Sequence, residues 1–477
     1  MSLALKAGLW FTICGFIQKG MSFLTMPIFT RILSTEEYGQ ISIYNSWLGL
    51  LSIIITFNVF YGAFNTAMKD FEDEKDSYAS SLIGFISLST VIYGAIYIAF
   101  RTFFNNITGL STPEFLLMLL QIFLQGIVSL WLARKKFDYK YIPVVIVSVI
   151  TFVCSPLLSC VAIYSFPENK VVAKIAGGLL IYVVVCVVLI IEMFARGKVV
   201  FKTKYWLYAI AFSLPLLLHY LSSVVLARSD IIVIERMCGK SYSAIYSVAD
   251  SLSSALTILT TAASQAIVPW LFFNIKRNTL YKTKSKTYTL LCITGICFAF
   301  AMFFGPELLK IIAPYDYFEA RWAIPPIMAS LFFSFIYQIY ANFEFYYKKN
   351  IYIISASVIT AIINIGLNIV CIKMFGFIAA AYTTLFCNIL FSLFHYLCAR
   401  RVSKKQGLKW PYSSKFILFI SLLMVAVTLL VSLLYMDDAI RYVILLEGVA
   451  LLLFFSKKIK SVVKFAFKKE ENCNDVE

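Results

Sequence analysis

Near the start of the chain a lysine, Lys19, sits beside Gln18 in the middle of an apolar run. At the centre of a membrane helix a lysine costs about 2.5–3.5 kcal/mol on insertion scales, so Lys19 is expected to face a wet cavity, where its ammonium could hold an anion. Snorkelling, or pairing between helices, is the competing reading. Arg31 and Arg228 stand at the ends of apolar runs and offer guanidinium forks suited to phosphate oxygens. An arginine in that position equally anchors at lipid headgroups, and Arg31 could clasp Glu36 or Glu37. His219, Glu344 and Asp250 could carry protons, with Asp250 expected to be a better buried carboxylate than Asp230. Hydrogen-bonded packing is the alternative for His219, and a salt bridge with Lys348 or Lys349 the alternative for Glu344. Gln121 with Gln125, and Asn364 with Asn368, each share a helix face, where their amides could line a polar path or bond one helix to another. None of this is covalent chemistry. The eleven cysteines form no CxxC and no Cys/His cluster, and most fall in or beside apolar runs, so neither a catalytic residue nor a metal site is expected.

The elements that carry these residues are membrane helices. Of 477 residues 61% are hydrophobic and 14% charged, against about 45–50% apolar and about 25% charged in soluble domains. Apolar runs separated by polar breaks predict spans near 8–30, 41–64, 79–100, 113–133, 141–164, 172–195, 205–227, 243–273, 287–312, 323–347, 351–373, 377–399, 414–435 and 440–456. The connections are too short for a soluble catalytic domain. When the loops are assigned to alternate sides, about 30 of the 42 basic residues fall on one side, which the positive-inside rule makes the cytoplasm. Both termini are then cytoplasmic. The net charge of +17 is thereby orientation and anionic-lipid contact rather than a nucleic-acid surface. The tail after Lys468 is expected to be disordered.

Two stretches point to a repeat: Thr30 to Ile41 between spans one and two, and Glu235 to Tyr246 between spans seven and eight, each running from an Arg through a polar turn to Tyr, a small residue, a further residue and Ile. Met26-Pro27-Ile28-Phe29-Thr30-Arg31-Ile32-Leu33 followed by Glu37-Tyr38-Gly39 resembles the signature of Wzx-type polysaccharide-repeat-unit flippases, in the multidrug/oligosaccharidyl-lipid/polysaccharide exporter superfamily. Asn364-Ile365-Gly366-Leu367-Asn368 with Phe375-Gly376-Phe377-Ile378-Ala379-Ala380-Ala381 is similar to a second motif, with Ala379 in place of the usual Gly. Ser229-Asp230-Ile231-Ile232 with Ala244-Ile245-Tyr246-Ser247 is similar to a third, with Ala244 replacing Gly.

The resemblance implies an all-α polytopic fold of about 14 transmembrane helices. Two six-helix bundles, 1–200 and 201–405, would face a central cavity, followed by two additional helices over 406–460 and a cytoplasmic tail over 461–477. It implies a flippase of the bacterial cytoplasmic membrane, not an enzyme. Its cargo would be a polyprenyl-pyrophosphate-linked oligosaccharide for capsule, O-antigen or exopolysaccharide assembly. No cofactor is expected beyond an H+ or Na+ gradient, and the expected partners are membrane lipids and the polymerase machinery, not nucleic acid. The alternatives are a cation-coupled multidrug exporter, a lipid II flippase of the same superfamily, and a membrane-embedded polymerase or glycosyltransferase.

Overall fold

The computed structural model describes residues 3–454; the expected tail and the end of the last expected span lie outside them. Among the described residues there is no strand. The helices are α1 (Leu3–Ile32), α2 (Thr35–Thr56), α3 (Gly62–Asp70), α4 (Lys75–Ala99), α5 (Arg101–Thr108), α6 (Thr112–Phe137), α7 (Tyr141–Ser165), α8 (Lys170–Gly197), α9 (Thr203–Cys238) and α10 (Lys240–Ser254). They continue with α11 (Thr257–Lys276), α12 (Thr283–Phe303), α13 (Gly305–Ile312), α14 (Ile324–Tyr346), α15 (Asn350–Phe375), α16 (Ala379–Lys405), α17 (Ser414–Leu434) and α18 (Asp438–Phe454). All-helical structure follows from the solvent, because in hydrocarbon a lone segment satisfies its backbone only as a helix.

Eleven of the fourteen expected spans fall on helices long and apolar enough to cross a membrane. The other three coincide with α1, α2 and α18, which lie outside that set. Three expected spans are interrupted, one of them, 287–312, at Phe304 between α12 and α13. The run 41–64 stops at Thr56, where Phe57 and Asn58 both take positive φ and the Thr56 hydroxyl accepts the Asn58 amide at 3.2 Å. The run 243–273 breaks between α10 and α11.

The chain forms two compact units. The first comprises Met1–Val248, Ile312–Tyr317 and Ile365–Phe377; the second comprises Ala249–Ile311, Phe318–Asn364 and the described residues from Ile378 onward. The first unit is built around a core that includes Tyr78, Ile86, Met118, Ile127 and Tyr205. At one end, Lys202 donates to the Tyr205 hydroxyl at 2.9 Å and to Glu74 at 3.2 Å, contacts that hold its ammonium above the usual lysine range. Within the second unit, α14 packs along α16, and fully buried Arg441 of α18 pairs with Glu307 of α13 and Asp438.

Candidate functional site

The start of α2 explains the first sequence motif. Ser34 caps the helix: its hydroxyl accepts the Glu37 amide at 3.2 Å, and its own amide donates to the Glu37 carboxylate at 2.8 Å. This reciprocal pair satisfies two of the donors a helix start leaves open. Gly39 follows because the backbone of Lys240 passes so close that a Cβ at this position would lie 2.1 Å from the Lys240 carbonyl oxygen. Arg31 caps the other side of the turn, donating to the carbonyls of Pro27 at 2.8 Å and Ile312 at 3.3 Å. Lys170 reaches the Ile32 carbonyl at 3.3 Å and lies 3.9 Å from Glu37. Positive charge at a helix C-terminus is favourable, so the signature builds a helix junction.

The second and third motifs meet inside the first unit. Asp230 of α9, 4% exposed, accepts from the Tyr246 hydroxyl and from the Asn368 amide, each at 2.6 Å. Asp230 is therefore the more buried carboxylate, reversing the expected order, since Asp250 in α10 is half-buried. The difference arises because α9 turns Asp230 toward two donors from other helices.

Four helices of the first unit enclose a polar cavity of about 90 Å³. It is lined by Tyr44 and Asn45 of α2, Gln121 of α6, Ser155 and Ser159 of α7, and Lys174 and Tyr182 of α8. The close approach of α7 and α8 at Gly177 and Gly178 shapes one wall: a Cβ on Gly177 would sit 2.5 Å from the Ala162 Cβ and 2.6 Å from the Leu158 carbonyl oxygen. Small residues permit such contact between membrane helices. Ser155 then donates to the Gly178 carbonyl at 3.0 Å, and Ser159 to the Lys174 carbonyl at 2.8 Å. Tyr44 donates to the Gln121 carbonyl oxygen at 2.7 Å. The Lys174 ammonium stands over the Phe29 ring, 4.8 Å from its centroid. Gln125 stands one helical turn beyond Gln121 on the same face of α6. Sequence reasoning missed Lys174, although a lysine inside the run 172–195 is the same kind of signal that singles out Lys19.

The other predicted residues are distributed over both units. Lys19, Arg31 and Arg228 are exposed, and His219 is half-buried on α9. In the second unit Asn364 is fully buried and donates to Thr384 at 3.1 Å. Glu344 is fully buried too, and its partner is not a loop lysine but His395 of α16, whose Nδ1 lies 3.0 Å from the carboxylate. The Glu344 Oε1 and His395 Nε2 atoms are buried without a hydrogen-bond partner. His395 went unnoticed in the sequence because nothing local marks it.

The family described as "Polysaccharide biosynthesis protein" matches residues 4–276. A Lsg locus protein of Haemophilus influenzae is 24% identical over 385 residues, covering 73% of this chain and 86% of that protein. An uncharacterized membrane protein of the same organism is 21% identical over 372 residues, covering 73% and 85%. Among solved structures, the lipid II flippase MurJ in an inward closed conformation superposes with a TM-score of 0.70 at 16% identity, over 94% of this chain and all of that one (100%). An inward-facing multidrug resistance MATE family transporter of the MOP superfamily gives 0.63 at 13% identity, over 82% and 96%. These likenesses show that the chain shares the fold of those two membrane proteins. With more than half of its length matched by the family, and eleven helices long and apolar enough to cross a membrane among the described residues, the chain belongs to the polysaccharide biosynthesis protein family as a multi-pass membrane protein.

Proposed function

We propose that this protein carries polyprenyl-pyrophosphate-linked oligosaccharide repeat units across the bacterial cytoplasmic membrane by alternating access, supplying capsule, O-antigen or exopolysaccharide assembly. Membership of the polysaccharide biosynthesis family, on a fold shared with a lipid II flippase, carries this reading. The physical task agrees with it. Each polar group moved into hydrocarbon without a hydrogen bond costs about 2–7 kcal/mol, so a glycan needs a polar passage while its polyprenyl tail stays in lipid. Lys19, exposed at mid-height on α1, supplies a cation for the pyrophosphate. Arg31 and Arg228, exposed near the ends of their spans, are further anchors. No covalent step and no resident cofactor is invoked. Energy would come from an H+ or Na+ gradient, with the Glu344–His395 pair as the proton-holding candidate.

Deleting the gene should cause polyprenyl-linked oligosaccharide to accumulate on the cytoplasmic leaflet, measured by extraction and mass spectrometry. Wild-type lipid-linked pools after deletion, together with new sensitivity to cationic dyes, would favour a multidrug exporter instead. In the complemented strain, Lys19→Ala should lower export at near-normal protein abundance; a collapse in abundance would make Lys19 structural.

A further inference from the structure

We propose that the cavity between α2, α6, α7 and α8 is an oxyanion subsite, in which Lys174, Gln121 and Asn45 hold a carboxylate or phosphate group of the cargo. This assignment of the cargo rests on the flippase reading above, and the binding itself does not.

The charge of the cavity lining carries the proposal: Lys174 is its one charged side chain. The hydroxyls of Tyr44, Ser155 and Ser159 spend their protons inward, on the Gln121 carbonyl oxygen, the Gly178 carbonyl and the Lys174 carbonyl. Tyr44 takes one lone pair of the Gln121 oxygen, and the Gln121 NH2 group adds donors to the cavity lining. Lys174 offers three more donors and a full charge. Its contact is a ring face, and among the described residues no carboxylate pairs with it. Asn45 of α2, exposed and also in the lining, adds an amide. Charge-assisted hydrogen bonds to Lys174, the one charged side chain in the lining, call for an oxygen acceptor carrying negative charge. A cation held in a low-dielectric wall without a counter-ion is costly, and an anion removes that cost.

The cavity of about 90 Å³ has room for more than the single water that about 10–15 Å³ would hold. That admits one carboxylate or one phosphate group, such as the acid group of a uronic sugar or a phosphate of the carrier. The site is distinct from Lys19, Arg31 and Arg228, none of which lines it.

The test uses the full-length protein in lipid nanodiscs, with thermal stabilisation measured against inorganic phosphate, sodium glucuronate and glucose at ionic strength fixed with chloride. Saturable stabilisation by phosphate or glucuronate, absent with glucose, is expected; a preference for glucuronate assigns the sugar acid, and for phosphate the carrier. Lys174→Gln should weaken that binding about tenfold or more, and Lys174→Arg and the distant Lys69→Gln should retain it. If Lys174→Gln does not fold, Gln121→Glu replaces it: a carboxylate facing Lys174 should abolish anion binding. Equal effects of glucose, no anion effect in the wild type, or unchanged affinity in Lys174→Gln or Gln121→Glu overturns the subsite. Absent anion binding in a protein whose deletion still accumulates lipid-linked oligosaccharide sinks the subsite alone. Anion binding without such accumulation sinks the transport reading alone.

Discussion

Asp230 and Glu344 are buried carboxylates whose partners decide what they do. Asp230 accepts from two donors at 2.6 Å, so Asp230→Ala leaves the Tyr246 hydroxyl and the Asn368 amide to find other acceptors. Each buried polar group left unsatisfied costs about 1–3 kcal/mol. The Tm of purified Asp230→Ala in detergent should therefore fall well below that of Asp230→Asn, which keeps one acceptor oxygen. Equal Tm values would mean that the two bonds contribute nothing. For the Glu344–His395 pair the expectation is non-additivity. Either His395→Leu or Glu344→Leu strands a fully buried polar partner, whereas the double replacement strands none. Exchanging a buried ionic or polar pair for apolar residues is often neutral, so the double variant should be more stable than either single one, as read in a double-mutant cycle.

At the level of helices, stability depends on close backbone approaches that the sequence reports only as glycine. Gly177→Ala would force a Cβ to within 2.5 Å of the Ala162 Cβ across the α7–α8 contact. Overpacking of this kind costs about 1–3 kcal/mol, and it also displaces Lys174, one turn earlier on the same helix. Gly366 in α15 has nothing within 4 Å of its absent Cβ, so Gly366→Ala should be neutral or stabilising by about 0.4–1 kcal/mol. A thermal-melt comparison in which Gly366→Ala falls as far as Gly177→Ala would refute this account of the α7–α8 wall. The contrast also explains what the sequence revealed. The spans were legible because an apolar run is a local property; the Ser34–Glu37 capping box, though local, was passed over in favour of a clasp between Arg31 and Glu36 or Glu37. The pairs Glu344–His395 and Asp230–Asn368 were not legible, since they join positions 51 and 138 residues apart. The Lys174 cavity draws on four helices, and no spacing rule within one helix brings its walls together.

For the whole molecule, orientation hangs on how many times the interrupted segment Lys240–Lys276 crosses the membrane. Its 37 residues would span about 55 Å as one straight helix at 1.5 Å per residue, against a hydrocarbon core of about 30 Å. Taken apart, α10 has only 15 residues, about 22 Å, too short to cross alone. One crossing with a break at α10–α11 is therefore favoured. It leaves six spans between the turn at Pro167–Asn169 and the end of α15 and puts both on the same side. That side is the exterior if the basic loops face the cytoplasm. Single cysteines at the exposed positions Glu168 and Lys373, in a background with the native cysteines replaced, should then react with a membrane-impermeant maleimide in intact cells. Cysteines at exposed Asp73 and Gln406 should react only after permeabilisation. Labelling at Lys373 that matches Gln406 instead of Glu168 would mean that Lys240–Lys276 does not cross once. Complete reversal of all four would leave the span count intact and overturn the orientation, placing the basic loops, and with them both termini, outside the cell.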